Sequence, residues 1–409
     1  MKKLSNYVEK IPYKNQIILF HKITGDIILV ERKNIIKENE NVYMFNGKDE
    51  DIRFLEENDF FLDDDIVQNY IVKNFSSSKK ENEITIVIST TEECNLSCEY
   101  CYQKKWDKKE HILDKEYINL VMNYIKDIIY KNSFDRIIFN IDFIGGEPLI
   151  KKELINKFLE KILYLVRYKN DKKIEVRFHI DTNMVLLERE FILAFPNLTI
   201  NTTITCQEDH NKLRTNSFDK VVKKLDELKE VFDNKRYRLV IRYNVHHENI
   251  GQIEKFIKEL NRMNLKYTFD VQNIVNFPSN AFKNKLSDEE FEEIYIDKIL
   301  PILLKNSLQP QILPSYGLGR KCLGYGKFNC KFYSNGQIVL CDAFPKTSKE
   351  ESKQSLPVLP KMCIECFDFP YCGGVKPCDE TTCLGEFRRK QVFLKRIICY
   401  VDTVIGKEE

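Results

Sequence analysis

Three thiols crowd into the stretch Cys94-Asn95-Leu96-Ser97-Cys98-Glu99-Tyr100-Cys101, and no other feature restricts this chain as much. The spacing is C-x3-C-x2-C, directly after the apolar run Ile84-Thr85-Ile86-Val87-Ile88, which reads as a strand. A loop this tight at a strand end can aim three thiolates at three irons of a 4Fe–4S cube, which takes four ligands. The remaining iron is then open to bind and reduce a small molecule. Two plainer readings compete. One is half of a zinc site, but structural zinc is usually held by two Cys pairs or by a Cys pair with a His pair. The other is a set of buried structural cysteines, but three thiols among polar neighbours is not core composition.

With an aromatic, Tyr100, before the third cysteine, the loop resembles that of the radical S-adenosylmethionine (SAM) enzymes. The resemblance implies that the open iron chelates the amino and carboxylate groups of SAM. It implies that an electron from the cube cleaves the sulfonium, and that the 5′-deoxyadenosyl radical released takes hydrogen from a substrate. A reduced flavodoxin or ferredoxin is the kind of electron donor it implies.

The rest of the chain agrees with a barrel around that loop. From Glu83 to about Val275 strand and helix patterns alternate. Strands are expected at 84–89, 136–144, 174–181, 198–205, 237–245 and 267–275. Between them lie stripes at helical spacing, such as Phe218, Val221, Val222, Leu225 and Leu228, and Ile250, Ile253, Phe256, Ile257, Leu260 and Met263. Such alternation gives parallel strands with right-handed crossovers. The fold class expected is α/β, and six units fit the partial (βα)6 TIM-type barrel that the resemblance implies. Its chemistry would lie at the carboxyl ends of the strands, where the cysteine loop stands.

A second motif, Gly145-Gly146-Glu147-Pro148, ends the second strand. Two glycines let backbone approach a ligand closely, and the glutamate adds an acceptor. An ordinary strand-to-helix turn is the plainer reading. The resemblance makes this turn the site of the SAM amino group. Thr182-Asn183, ending the third strand, resembles a position contacting the SAM ribose or carboxylate, although both residues are common turn formers. Arg242 and Asn244 are polar groups in an apolar strand, and SAM, substrate or a structural salt bridge would satisfy them. Thr205-Cys206 stands where many relatives have Asp-Gly, while His210 and Arg214 are kept; Cys206 reads as a buried bystander.

The other nine of the 13 cysteines lie beyond residue 320. Cys322, Cys330 and Cys341 surround a Gly336 turn suited to a hairpin tip, and Cys363, Cys366, Cys372, Cys378, Cys383 and Cys399 follow. Zinc ribbons are the rival, but only one clean C-x2-C pair is present. The order resembles the SPASM domain, which holds two auxiliary 4Fe–4S clusters in radical SAM enzymes acting on peptides and proteins. The resemblance puts Cys322, Cys330, Cys341 and Cys378 on the first auxiliary cluster. It puts Cys363, Cys366 and Cys372 on the second, completed by Cys383 or Cys399. Five residues separate Cys372 from Cys378 where three are usual, so the choice between Cys378 and Cys383 stays open.

At 409 residues, two or three domains are expected. We place them at 1–78, a small unit with a Gly25 hairpin that faintly resembles leader-docking modules; 79–306, the barrel with a bridging helix opened by the capping box Ser287-Asp288-Glu289-Glu290; and 307–409, the SPASM region. A plain hairpin cap is the rival for the first unit. A net charge of +2 gives no steering toward nucleic acid or membrane, and no apolar run of about 18 residues predicts a membrane span. Thiols clustered in this way, without an export signal, point to a reducing cytoplasm. The expectation is a radical SAM maturase of a ribosomally made precursor peptide with a leader, using SAM and three 4Fe–4S clusters to install a thioether or carbon–carbon crosslink. The alternatives are a protein-directed oxidase forming formylglycine, as in anaerobic sulfatase-maturing enzymes, and a metal-binding scaffold without turnover.

Overall fold

The computed structural model describes residues 1–39, 42–61, 82–101, 103, 111–168, 173–274, 282–310, 312–313, 328–339 and 386–405, excepting the side chains of 288, 386–392 and 405. The boundary expected between residues 78 and 79 lies outside them, as do Cys322, Cys341, Cys363, Cys366, Cys372, Cys378 and Cys383. The chain divides into two compact units, which are not consecutive blocks. One comprises 1–80, 311–325 and 354–409; the other comprises 81–310 and 326–353.

The first unit holds two antiparallel three-stranded sheets, one of β1 (Lys2–Lys3), β6 (Tyr43–Phe45) and β5 (Ile35–Lys37), the other the meander β2 (Val8–Tyr13), β3 (Gln16–His21) and β4 (Ile27–Glu31), each in that order. Gly25 takes a φ of +80° at the β3–β4 turn, which a side chain would oppose. β3 reads as a continuous apolar run because both of its faces are covered. Ile18 and Phe20 pack with Ile11, Tyr13 and, from the helix Glu386–Tyr400 and the π-turn after it, Phe393, Ile397 and Val401. Leu19 packs on the other side with Val8, Phe45, Leu55 and Phe60.

The second unit holds the barrel. Its strands are β7 (Glu83–Ser89), β8 (Arg136–Ile144), β9 (Lys173–Asp181), β10 (Leu198–Thr203), β11 (Tyr237–Val245) and β12 (Thr268–Asn273), close to the expected bounds. All five pairings between them are parallel. The order β12-β11-β10-β9-β8-β7 is sequential, so every crossover steps the same way. Right-handed crossovers in one direction put all the helices on one face, which is barrel winding.

That winding sets the chemistry of the two sheet faces. The helix-covered face carries Ile84, Ile86 and Ile88, then Phe139, Ile141 and Phe143, then Phe178 and Ile180, then Leu239, Ile241 and Tyr243, all buried. The register aligns the alternate positions into polar rows. Asp142 is opposite His179, Asn201 is opposite Asp181, Thr203 is opposite Arg242, and Gln272 is opposite Asn244. A parallel sheet buried on both faces would read as unbroken apolar strands. Here the inner face is polar, and Arg242 and Asn244 belong to that alternation rather than interrupting it.

β13 (Cys330–Phe332) extends the sheet beyond β7, in parallel, and β14 (Ile338–Val339) returns antiparallel through a turn with Gly336 at φ +84°. The hairpin expected there is present. Tyr117, on the helix Asp114–Lys131, is buried and its hydroxyl lies 2.9 Å from both the Ser89 and Phe332 carbonyls, tying β7 to β13. Tyr117→Phe is expected to lower the unfolding free energy by about 1–3 kcal/mol, because buried carbonyls lose their donor; urea denaturation of the purified protein measures it.

Candidate active site

The β7–β8 ladder does not stop where the strands do. Thr90 N donates to Ile144 O (2.9 Å), Gly146 N to Thr91 O (2.8 Å) and Glu147 N to Glu93 O (2.8 Å). The stem of the cysteine loop is thereby seated on the diglycine turn. A Cβ on Gly145 would stand 2.3 Å from Thr91 O, and one on Gly146 would stand 2.3 Å from Glu93 O. Backbone oxygens cannot step aside as a flexible side chain can. The two glycines are therefore required by the protein's own backbone, in addition to any ligand they face.

Glu147 departs from the expected picture. It is fully buried, and its carboxylate accepts from Leu149 N (3.1 Å), Thr182 Oγ1 (2.7 Å) and Asn183 N (2.7 Å). Burial pushes its pKa up, while those bonds to the charged form act in the opposite direction. With buried Pro148 it stands behind the cavity wall. Its oxygens bind the end of β9 to the end of β8. Asn183 in turn donates from Nδ2 to Asn95 Oδ1 (2.7 Å), inside the cysteine loop.

Cys94, Cys98 and Cys101 line one cavity of about 690 Å³ at the carboxyl ends of the strands, and Tyr100, Gly145, Gly146, Thr182, Asn183 and Arg242 line it too. Among the described residues no three His, Cys, Asp or Glu side chains converge on one metal-ion position. A cube places each thiolate on a different iron, so it needs no shared point, and three thiolates without a carboxylate or imidazole suit iron–sulfur ligation. Burial raises the Cys94 thiol pKa, with Glu147 and the other two thiols adding to the effect. Metal binding there must displace protons.

The polar rows add Asp142, His179, Asp181, Asn201, Thr203, Asn244 and Gln272 to the wall, beside apolar Val87, Leu96, Ile144 and Ile274. The signal for them was the period-two polar spacing within strands such as Ile141-Asp142-Phe143 and Phe178-His179-Ile180-Asp181. Burial, with Asp181 adding, pushes the Asp142 carboxyl up to about 7, and burial lowers the His179 pKa. Arg242 Nε reaches Asp270 Oδ2 (3.1 Å), the salt bridge among the readings given for it, and the residue also lines the cavity. Arg214 also lines the cavity. His210 is buried away from it, with Nε2 against Ser217 Oγ (3.0 Å) and its pKa lowered by burial to about 3. Cys206 is buried against Gln252 and Tyr243, as a bystander would be.

Two late cysteines are described. Cys330 pairs in register with Ile86, so its side chain lies on the helix-covered face, fully buried beside the Tyr124 hydroxyl. Its expected co-ligands Cys322, Cys341 and Cys378 lie outside the described residues. Cys399 is half-buried in its helix, 3.9 Å from Thr403 Oγ1.

Residues 88–260 match the family model of the Radical SAM superfamily. The chain is 28% identical over 193 residues to an uncharacterized protein of Methanocaldococcus jannaschii, covering 46% of this chain and 62% of that one. It is 25% identical over 219 residues to a probable GTP 3′,8-cyclase of Pyrococcus horikoshii, covering 51% and 64%. It thus spans under two thirds of these relatives. Among solved structures, native anSMEcpe with bound AdoMet superposes with a TM-score of 0.56 at 16% identity, covering 79% of this chain and 98% of that one. Streptococcus suis SuiB bound to the precursor peptide SuiA gives 0.50 at 14% identity, covering 91% and 88%. These likenesses establish the partial-barrel fold. No helix among the described residues is long and apolar enough to cross a membrane.

The raised Asp142 carboxyl makes a signed prediction. A pKa above the unfolded value favours the protonated form, so the group costs the fold stability as pH rises from roughly 4 to about 7. Asp142→Asn removes that cost. Urea unfolding should find the variant more stable than wild type by about 1–3 kcal/mol at pH 8, with a smaller gain at pH 5.

Proposed function

We propose that this chain is a radical SAM peptide maturase. The observation that carries the reading is the single cavity where three loop thiols, the diglycine turn and a polar lumen meet. A cube on Cys94, Cys98 and Cys101, with SAM, would supply an electron and a 5′-deoxyadenosyl radical able to take hydrogen from carbon. The protein's own residues would then orient and enclose. Gly145 and Gly146 leave backbone exposed to the cavity for the SAM methionine end. Thr182 and Asn183 present the end of β9. Tyr100, Arg242 and Asn244 line the same cavity, where Tyr100 would stand beside the cube and Arg242 with Asn244 would face SAM or substrate. Glu147 and Pro148 act at one remove, by fixing the turn.

The peptide substrate is supported by two fold neighbours solved with peptides: anSMEcpe with AdoMet and the Kp18Cys peptide, TM-score 0.57, and SuiB with SuiA, TM-score 0.50. In our reading the late cysteines, Cys330 among them, hold two auxiliary clusters of the SPASM type. One such cluster would take up the electron left when a thioether or carbon–carbon crosslink closes, or would hold a substrate thiolate. The meander of the first unit docks the leader by adding a strand at an outer edge, β2 or β4, each paired only with β3 among the described residues. A reduced flavodoxin or ferredoxin provides the electron.

Anaerobic reconstitution should give about twelve irons per chain, four per cube, with no zinc in their place. With SAM and dithionite the protein should release 5′-deoxyadenosine, and Cys98→Ala should bring release to background. Retention of that release in Cys98→Ala would remove the reading. Deleting residues 1–78 should abolish processing of a leader-bearing peptide while SAM cleavage persists; unchanged processing would end the docking assignment.

A further inference from the structure

The cysteine loop is neither helix nor strand. Within it Cys101 N donates to Cys98 O (3.2 Å) and Leu96 N to Cys94 Sγ (3.4 Å). One end is seated on the diglycine turn. The other is held by three consecutive residues far along the chain. Leu213 O accepts from Glu99 N (2.8 Å), Arg214 Nη1 donates to Tyr100 Oη (3.0 Å), and Thr215 Oγ1 accepts from Ser97 N (2.9 Å). Three residues, one after another, grip three positions of the loop on either side of Cys98.

The grip is made at a cost to the backbone. Thr215 and the next residue, Asn216, take φ values of +56° and +52°. A β-branched residue is a poor occupant of the left-handed region, and such strain persists only where the surroundings enforce it. The enforcing contacts are visible. Arg214 N donates to His210 O (2.7 Å), Ser217 Oγ donates to Arg214 O (2.7 Å), and His210 Nε2 meets Ser217 Oγ (3.0 Å). Asn211 accepts from Asn216 N (3.2 Å) and Phe218 N (3.0 Å).

Arg214 itself is buried, and its charge couples to the Cys98 and Cys94 thiols. Its Nε is buried with no partner among the described residues. A guanidinium stays protonated at any working pH, so this is a permanent cation. Beside thiolates carrying a cube it would favour the reduced, more negative form, since local charge is one setting of cluster potential.

We propose that Leu213–Thr215 is a clamp that fixes the cysteine loop in its ligating shape and places a permanent positive charge against the cluster, raising its reduction potential. This rests on the cluster reading of Cys94, Cys98 and Cys101. Arg214 and Thr215 are positioning residues here, acting on the loop.

The test uses the reconstituted full chain and two readouts that need no turnover. One is the midpoint potential from a redox titration followed by electron paramagnetic resonance. The other is the rate of iron release to a chelator. The signal lost in a Cys94→Ala/Cys98→Ala/Cys101→Ala variant belongs to this cluster; a wild type with the same iron and signal as that variant would defeat the cluster reading itself. Given a loaded cluster, Arg214→Met should shift the midpoint to a more negative potential and Arg214→Lys should restore it. Thr215→Val should release iron several-fold faster than wild type, and Thr215→Ser should match wild type. An unchanged midpoint in Arg214→Met, or unchanged release in Thr215→Val, overturns the clamp. Should Arg214→Met hold no iron, the Thr215 pair decides it.

Discussion

The approach of two backbones, Gly145–Glu147 and Thr91–Glu93, is the constraint on which the site depends. It extends a parallel ladder beyond its strands by three hydrogen bonds and leaves no room for a Cβ at either glycine. A loop of thiols must be aimed to within a fraction of a bond length to serve as ligands. A strand end alone does not do this, because its last residues fray. Locking the stem onto the neighbouring strand's turn transfers the rigidity of the sheet to Cys94.

Glu147 completes that lock. A buried carboxylate is costly unless hydrogen bonds replace its water. Three donors do so, two of them from the end of β9. The glutamate thus joins β8 to β9 where no ladder bond can, and Asn183 passes the connection on to Asn95. Glycines, glutamate and Thr182-Asn183, met in sequence as separate motifs, form one connected support around the thiols.

Much of this was legible. β-Branched runs and helical stripes located every barrel strand, and the capping box appears with both of its bonds, Glu290 N to Ser287 Oγ (3.1 Å) and Ser287 N to Glu290 Oε2 (2.7 Å). The site residues least legible were those defined by sheet winding. Asp142 and His179 acquire meaning only when register puts them side by side on the inner face. Cys330 is placed in the same way. Its spacing groups it with later thiols, and only strand parity with Ile86 says which face of the sheet it takes. A one-residue change of parity reverses a side chain's face, and spacing along the chain carries no such sign.

The polar lumen also explains why this barrel stays open. A closed barrel of parallel strands packs its interior with branched apolar side chains in layers. Charged and amide groups such as Asp142, Asp181, Arg242 and Gln272 cannot fill a dry interior without a large desolvation penalty. A row of them needs water, a ligand or each other, as Arg242 and Asp270 have. The sheet continues outward past β7 into the short β13–β14 hairpin, and among the described residues β12 and β14 are its two edges. The same composition that denies the lumen a hydrophobic filling keeps space for a polar occupant beside the thiols.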